Sequence, residues 1–346
     1  MTVKEAKNIA ERWVHGSAEG ISPFYAAFYH GSVNWLADEA VFPPNSDLDI
    51  VLISSSQTQL PKGKFLYENL LLEVTYMPPD QFRSAEQLLG NYHLAGNFSR
   101  TQLIFDVTGK LLTLQKEVAQ KYANRQWVKI RCIDALENAS KFLNALNRAD
   151  PVHDQVTSWL FARGVLCHIL LVAGLKNPTV RKRYAAVREL LNACNKMDFY
   201  ESLLQTAGFF QVTKPMAESC LFSLTEVYDE ACIYLKTPYL FATDISVSSR
   251  KLAINGCSEL IAAGLHREAM FWIVAAYCRC QHVLFTDAPR EIQLHYKKPF
   301  LKMLDTLHIP SYEDRKRDNE RLRQFLPEIM EMAEYIIDIV TSGAGS

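Results

Sequence analysis

The spacing of apolar positions along this 346-residue chain changes once, near residue 110. Before that point apolar residues come in short runs bounded by turn-forming residues. Ala6, Ile9, Ala10 and Trp13 recur at helical spacing, which predicts an opening helix over 4–16 ahead of Gly16 and Gly20. Residues 24–29 are aromatic and apolar, predict a strand, and run into His30-Gly31-Ser32. The turn-prone Phe42-Pro43-Pro44-Asn45 then leads to Ile50-Val51-Leu52-Ile53, a β-branched run closed by Ser54-Ser55-Ser56 that reads as a buried strand. Residues 65–77 predict one long strand or a hairpin stopped by Pro78-Pro79, and 102–106 another strand before Val107-Thr108-Gly109. The first part is thus expected to hold four short strands with few helices. From Lys110 onward helical spacing takes over in segments at 126–148, 154–174, 179–194, 215–235, 247–285 and 312–341. Gly174, Pro178, Pro215, Pro238, Gly264, Pro289 and Pro310 punctuate them. No fixed-period repeat runs through the chain, and the closing Gly343-Ala344-Gly345-Ser346 predicts a disordered tail.

Composition changes this picture little. With 49% apolar and 22% charged residues the chain can bury a large core, and its length favours two domains over one. A net charge of −1 gives no broad pull toward nucleic acid or an anionic membrane, so both are disfavoured as partners. The eight cysteines are scattered in apolar helical contexts without a CxxC pair and are expected to be reduced core residues. The charged N-terminus lacks a signal-peptide core, and no later stretch is read as approaching a membrane span; the expected location is the cytoplasm.

Candidate chemistry gathers in the first part. Asp47 and Asp49 stand at the entrance of the strand that includes 50–53, and residues two apart on a strand share a face. Two carboxylates so placed repel unless a cation lies between them, and hard oxygen donors suit Mg²⁺. Glu73 lies within Leu70-Leu71-Leu72-Glu73-Val74, where a lone carboxylate is costly without a partner. It is the third candidate ligand and a candidate general base. Gly31-Ser32 after a strand suits a phosphate cradle, because glycine admits close backbone approach and serine adds a hydroxyl. Ser46 is a secondary candidate, either a loop cap or a contact to phosphate or to the metal's surroundings. Taken alone, Asn45-Ser46-Asp47 is ordinary turn chemistry, and Glu73 has a competing role as a solvent-facing strand residue.

Together, Tyr29-His30-Gly31-Ser32, Asn45-Ser46-Asp47-Leu48-Asp49 and Leu72-Glu73-Val74-Thr75 resemble the nucleotidyltransferase superfamily that includes DNA polymerase beta and the aminoglycoside adenylyltransferases. The run from Leu103 to Leu111 is similar to the strand and turn that lead such proteins into a helical domain. The resemblance implies an α+β protein: a small mixed-sheet nucleotidyltransferase domain over 1–110, then an all-α helical bundle over 111–342. It implies Mg²⁺ on Asp47, Asp49 and Glu73, and nucleotide phosphates on Gly31 and Ser32. The implied substrates are ATP or another nucleoside triphosphate and a hydroxyl-bearing acceptor, with an aminoglycoside-like small molecule as the leading class. Specific motifs cover only the first third of the chain. The loop 33–45 is longer than the usual spacing, and the helical region is larger than in the streptomycin-modifying enzymes. Two rivals stand beside this reading. One is a non-catalytic nucleotide-binding or regulatory protein with the same fold. The other is RNA modification by nucleotide addition, which needs a basic track that the total charge does not advertise.

The remaining polar groups carry weaker signals. Cys278, Cys280 and His282 look like a ligand cluster, but only Cys278 and His282 share a helix face, so core packing is expected. His93, His153 and His168 stand without metal-ligand spacing, and His30 is a nucleotide contact or a strand-end residue. Arg181-Lys182-Arg183 reads as a solvated helix face, or as a triphosphate contact if it lies in a cleft, and 313–323 as an exposed helix start. His266-Arg267-Glu268 are capping groups or face a cleft between domains.

Overall fold

A computed structural model of the chain describes residues 1–18, 24–55 and 63–342. The expected tail at 343–346 lies outside these. The protein is mixed α/β, with a five-stranded mixed sheet in the first third and helices through the rest. Helix α1 (Val3–Ala18) opens on a capping box: the Thr2 hydroxyl accepts from the Glu5 amide at 3.2 Å, and the Glu5 carboxylate accepts from the Thr2 amide at 2.7 Å. The strands are β1 (Phe24–His30), β2 (Leu48–Ser54), β3 (Gly63–Tyr67) and β4 (Leu70–Met77), followed by short helices α2 (Ala85–Gly90) and α3 (Ala95–Phe98) and then β5 (Leu103–Asp106). Residues 65–77 therefore form a hairpin, turned at Glu68 and Asn69 in left-handed backbone, and the strand count is five rather than four.

Strand order is β3-β4-β2-β1-β5, with β2 and β4 parallel and the other pairs antiparallel. Alternate residues feed two cores, as the pleat requires. Ala27, Tyr29, Ile50, Leu52, Leu72 and Val74 pack on α1 through Ala6, Ala10 and Trp13. Ala26, Phe28, Val51 and Ile53 pack on α2, α3 and the next helix, α4 (Lys110–Lys121), through Leu88, Phe98 and Val118. Asp106 starts α4 by accepting from the amides of Thr108, Gly109 and Leu112, with Gly109 left-handed at φ 68°.

The helices that follow are α5 (Arg125–Asn144), α6 (Val152–Ala173), α7 (Arg183–Ala193), α8 (Met197–Thr206), α9 (Lys214–Tyr234), α10 (Gly256–Ala262), α11 (His266–Asp287), α12 (Arg290–Thr306) and α13 (Tyr312–Ser342). Their apolar pattern located most of them. The segment 247–285 is broken at Gly264, and within it a π-helical turn, Lys251–Asn255, precedes α10. Helices α4, α8 and α12 were not anticipated individually; they are short or polar and lean on α2, α7 and α11. A single large cluster joins α5 to α13, with Trp159, Leu166, Phe271, Tyr277 and Ile336 inside it.

Three expectations need correction. Helix α6, at 22 residues, is long and apolar enough to cross a membrane, contrary to the reading that no stretch approaches a span. Its apolar window is 83% buried by neighbouring helices, which identifies α6 as the central core helix. Arg181-Lys182-Arg183 is not a solvated face: Arg183 is buried over the Phe271 ring, and Arg181 donates to the Leu252 carbonyl at 3.0 Å. Nor is 313–323 fully exposed. Arg315 is buried and donates to the Ile309 carbonyl and to Gln155, each at 2.7 Å, because α13 starts by docking on α6. All eight cysteines are free; six are buried, and Cys194 and Cys232 are half-buried.

Candidate metal and nucleotide site

Register does most of the assembly. His30 pairs with Asp49 across β1 and β2, Asp49 with Glu73 across β2 and β4, and Glu73 with Lys64 across β4 and β3. Four polar residues therefore form one row across four strands, on the face that also carries Phe28, Val51 and Ile53. Asp47 shares that face with Asp49, two residues away. Oxygens of Asp47, Asp49 and Glu73 lie within 4.8 Å of one another. Glu73 thus turns toward the aspartates while its side chain remains 32% exposed.

The strand end is held from several directions. Asn34 and Thr101 both donate to the Tyr29 carbonyl, at 2.8 and 2.7 Å, and Trp35 donates to the Asn97 side chain at 3.0 Å. Between them the chain turns through a 3-10 segment, Gly31–Trp35. Gly31 sits at φ +67°, and a Cβ there would lie 1.9 Å from Asp49 Oδ2, so only glycine allows both this turn and this carboxylate. Ser32 is half-buried in the same turn, and Ser46 donates to the Asp47 carbonyl at 3.3 Å.

Three participants had no signal in the sequence. Lys64 Nζ lies 2.7 Å from Glu73, 3.4 Å from Asp47 and 2.6 Å from Asp244, with its side chain 7% exposed. Asp244 ends the 3-10 turn Ala242–Asp244 after α9, and Arg279 of α11 pairs with it at 2.8 Å. Gly63, at φ +87°, packs directly on Thr243 of that turn. Asn45 donates to Glu259 of α10, so helical elements close over the sheet row from two sides. Lys64 followed a segment with no clear period, and Asp244 lies 180 residues from it; only strand register and tertiary packing join them.

The electrostatics record the crowding. Burial raises the Asp49 carboxyl well above its ordinary range, and the Asp47 and Glu73 carboxylates raise it further. Burial also raises Glu73; Lys64 opposes this, while Asp47 and Asp244 add to it. Burial acts to lower the Lys64 ammonium, but Asp244, Asp47 and Glu73 outweigh it and hold it raised and charged. Asp244 would be raised by burial, yet Arg279 and Lys64 keep it below the usual carboxylate range. His30 is pushed down to about 4 by burial, with a smaller contribution from His93, which leaves it neutral. The donor set is oxygen-only and rich in negative charge, as Mg²⁺ requires, and one lysine offsets only part of that charge.

Other sequence candidates fall elsewhere. Arg267 makes a two-pronged pair with Glu201 at 2.6 and 2.9 Å, and buried Glu268 accepts from the Tyr200 hydroxyl at 2.7 Å. These residues therefore fasten α8 to α11 instead of capping a helix or facing a cleft. His93 and His168 contact each other beside Tyr92. The chain matches no protein-family model, and no curated protein matches it.

Proposed function

We propose that this protein is a Mg²⁺-dependent nucleotidyltransferase that moves a nucleoside monophosphate, by resemblance AMP from ATP, onto a hydroxyl of an acceptor. In this reading residues 1–110 form the nucleotidyltransferase domain and 111–342 the helical domain that selects the acceptor, with an aminoglycoside-like small molecule as the leading class. The observation that carries the proposal is the crowding of three carboxylates on one sheet row, against a glycine whose missing side chain makes room for one of them.

Asp47, Asp49 and Glu73 would hold Mg²⁺. The ion supplies neutralisation of the phosphate charge and alignment of attacker and leaving group. The backbone at Gly31 and the hydroxyls of Ser32 and Ser46 contact the phosphates in this scheme. Glu73, its basicity increased by burial, takes the proton of the acceptor hydroxyl. The acceptor oxygen bonds to the α-phosphorus, the bond to the β-phosphate oxygen breaks, and pyrophosphate leaves.

One observation favours a second reading, a non-catalytic nucleotide-binding or regulatory protein. Lys64 already places an ammonium among the same carboxylates, which in such a protein would take the place of a metal ion. The two readings separate by experiment. The full chain is screened with nucleoside triphosphates and Mg²⁺ by thermal shift, and with candidate acceptors for pyrophosphate release. The enzyme reading expects stabilisation of about 2.7 kcal/mol at a hundredfold excess over Kd, dependent on Mg²⁺ and lost in Asp47→Asn with Asp49→Asn. Stabilisation that survives in the double variant, or needs no Mg²⁺, would overturn it.

A further inference from the structure

A second cluster of donors lies away from the sheet, where the first turn of α6 meets the last turns of α11. His153 is 5% exposed, and its Nε2 is buried with no hydrogen-bond partner among the described residues. Asp154 Oδ2 stands 3.6 Å from that nitrogen, and Asp154 Oδ1 stands 3.7 Å from His282 Nδ1. All three residues offer donor atoms within 4.8 Å of one another. These separations exceed ordinary hydrogen bonds, which run to about 3.2 Å. They approach the roughly 3.3 Å between neighbouring ligands on a tetrahedral ion with bonds of about 2.0–2.1 Å.

The surroundings fix the two rings. Tyr239 lies over His282 with centroids 4.5 Å apart and planes 30° apart, and the His153 ring meets His282 edge-on at 5.4 Å while touching Phe285. Asp154 alone has a simpler role, since an acidic residue in the first turn of α6 suits the helix dipole. That role leaves the orphaned His153 nitrogen unexplained.

The geometry points to a transition-metal site formed by His153, Asp154 and His282, taking one divalent ion of the Zn²⁺ class. Two imidazoles and one carboxylate suit Zn²⁺ or Co²⁺, whereas Mg²⁺ prefers oxygen donors throughout. Three protein ligands leave a position for water or a small donor. Asp154 and His282 line a cavity of about 280 Å³ together with Thr157, Tyr239 and Cys278, so that position has space beside it. The ion would also tie the start of α6 to the end of α11. The inference does not depend on the nucleotidyltransferase reading, because the two sites share no ligand.

Co²⁺ is the probe. Full-length protein is stripped with a chelator, dialysed, and titrated with Co²⁺ in excess Mg²⁺, and binding is read from visible d–d absorption and from metal content after gel filtration. One Co²⁺ per chain is expected, displaced by Zn²⁺ and retained in Asp47→Asn with Asp49→Asn. His282→Ala should bind at least about tenfold more weakly. Asp154→Asn, altered at a side chain that is 45% exposed, provides a second variant if the first fails to fold, with the same expected loss. No Co²⁺ bound by the wild type, equal binding by wild type and a folded variant, or loss in the aspartate double variant would each overturn the assignment.

Discussion

The two places where metal-binding side chains converge are built on different plans. On the sheet, Asp47, Asp49 and Glu73 supply oxygens only, their charges repel, and Lys64 is held among them by 2.7 and 3.4 Å contacts. Between α6 and α11, His153 and His282 supply imidazole nitrogens, Asp154 supplies a single carboxylate, and the separations between them are 3.6–3.7 Å. The first arrangement suits a hard cation but is already partly neutralised from within. The second is under-coordinated, and Arg279, which lines the cavity beside it, is paired with Asp244 instead. The contrast is between a carboxylate row already bridged by a lysine and a histidine–aspartate cluster whose members stand beyond hydrogen-bond distance.

The largest effect is expected from removing the hard donors. Asp47→Asn with Asp49→Asn should reduce Mg²⁺-dependent pyrophosphate release by at least about a thousandfold, measured as kcat/KM, because charge neutralisation at the phosphorus is lost. Next comes the internal cation. Lys64→Ala leaves Asp47, Glu73 and Asp244 facing one another, and in chelator it should lower unfolding stability by about 3 kcal/mol in chemical denaturation. Mg²⁺ should restore more of that stability in Lys64→Ala than it adds to the wild type. If Mg²⁺ restores nothing, the cluster is a closed salt bridge and not a metal site.

Smaller changes refine the same contrast. Gly31→Ala puts a Cβ against Asp49 Oδ2 in left-handed backbone and should cost about 1–2 kcal/mol, with weaker Mg²⁺ binding. Unchanged affinity in that variant would mean that the Gly31 turn does not position the carboxylate. Asp49→Asn alone should act in the opposite sense on stability. Because Asp49 and Glu73 are raised in the fold, the folded chain holds more protons than the unfolded one above the ordinary carboxylate range near pH 4. The stabilising contribution is therefore complete below that range and is lost as pH rises through the raised folded values. Asp49→Asn should flatten this slope and add on the order of 1 kcal/mol to metal-free stability at neutral pH. A slope that is unchanged in the variant would assign the pH dependence to other groups.

The two sites also differ in how far the sequence could reveal them. Asp47 and Asp49 share a face by strand alternation, Glu73 betrays itself as a charge inside Leu70-Leu71-Leu72-Glu73-Val74, and Gly31 precedes a turn. Strand alternation, apolar context and a glycine after a strand each nominate part of this set, and only together do they point to one site. Lys64 needed the β3–β4 register, and Asp244 needed the packing of a turn after α9 against Gly63. The second cluster has no local signature: His153 and His282 stand more than a hundred residues apart on different helices, and helix periodicity assigns each only to a core face. The same limit hid the buried arginines. Arg183 and Arg315 sit in charged runs that look solvated, and they are buried because nearby loop carbonyls of Val180 and Ile309 accept from them while the Phe271 ring and the Gln155 side chain, on distant helices, receive them.

The central claim is that the carboxylate row binds a divalent ion. Crystals soaked with Mn²⁺ and a non-hydrolysable nucleoside triphosphate test it most directly, by anomalous scattering. The expected result is a peak bonded to Asp47, Asp49 and Glu73, with Lys64 Nζ withdrawn from Asp47 and Glu73. A row without a peak, with Lys64 still bridging Glu73 and Asp244, would contradict the account.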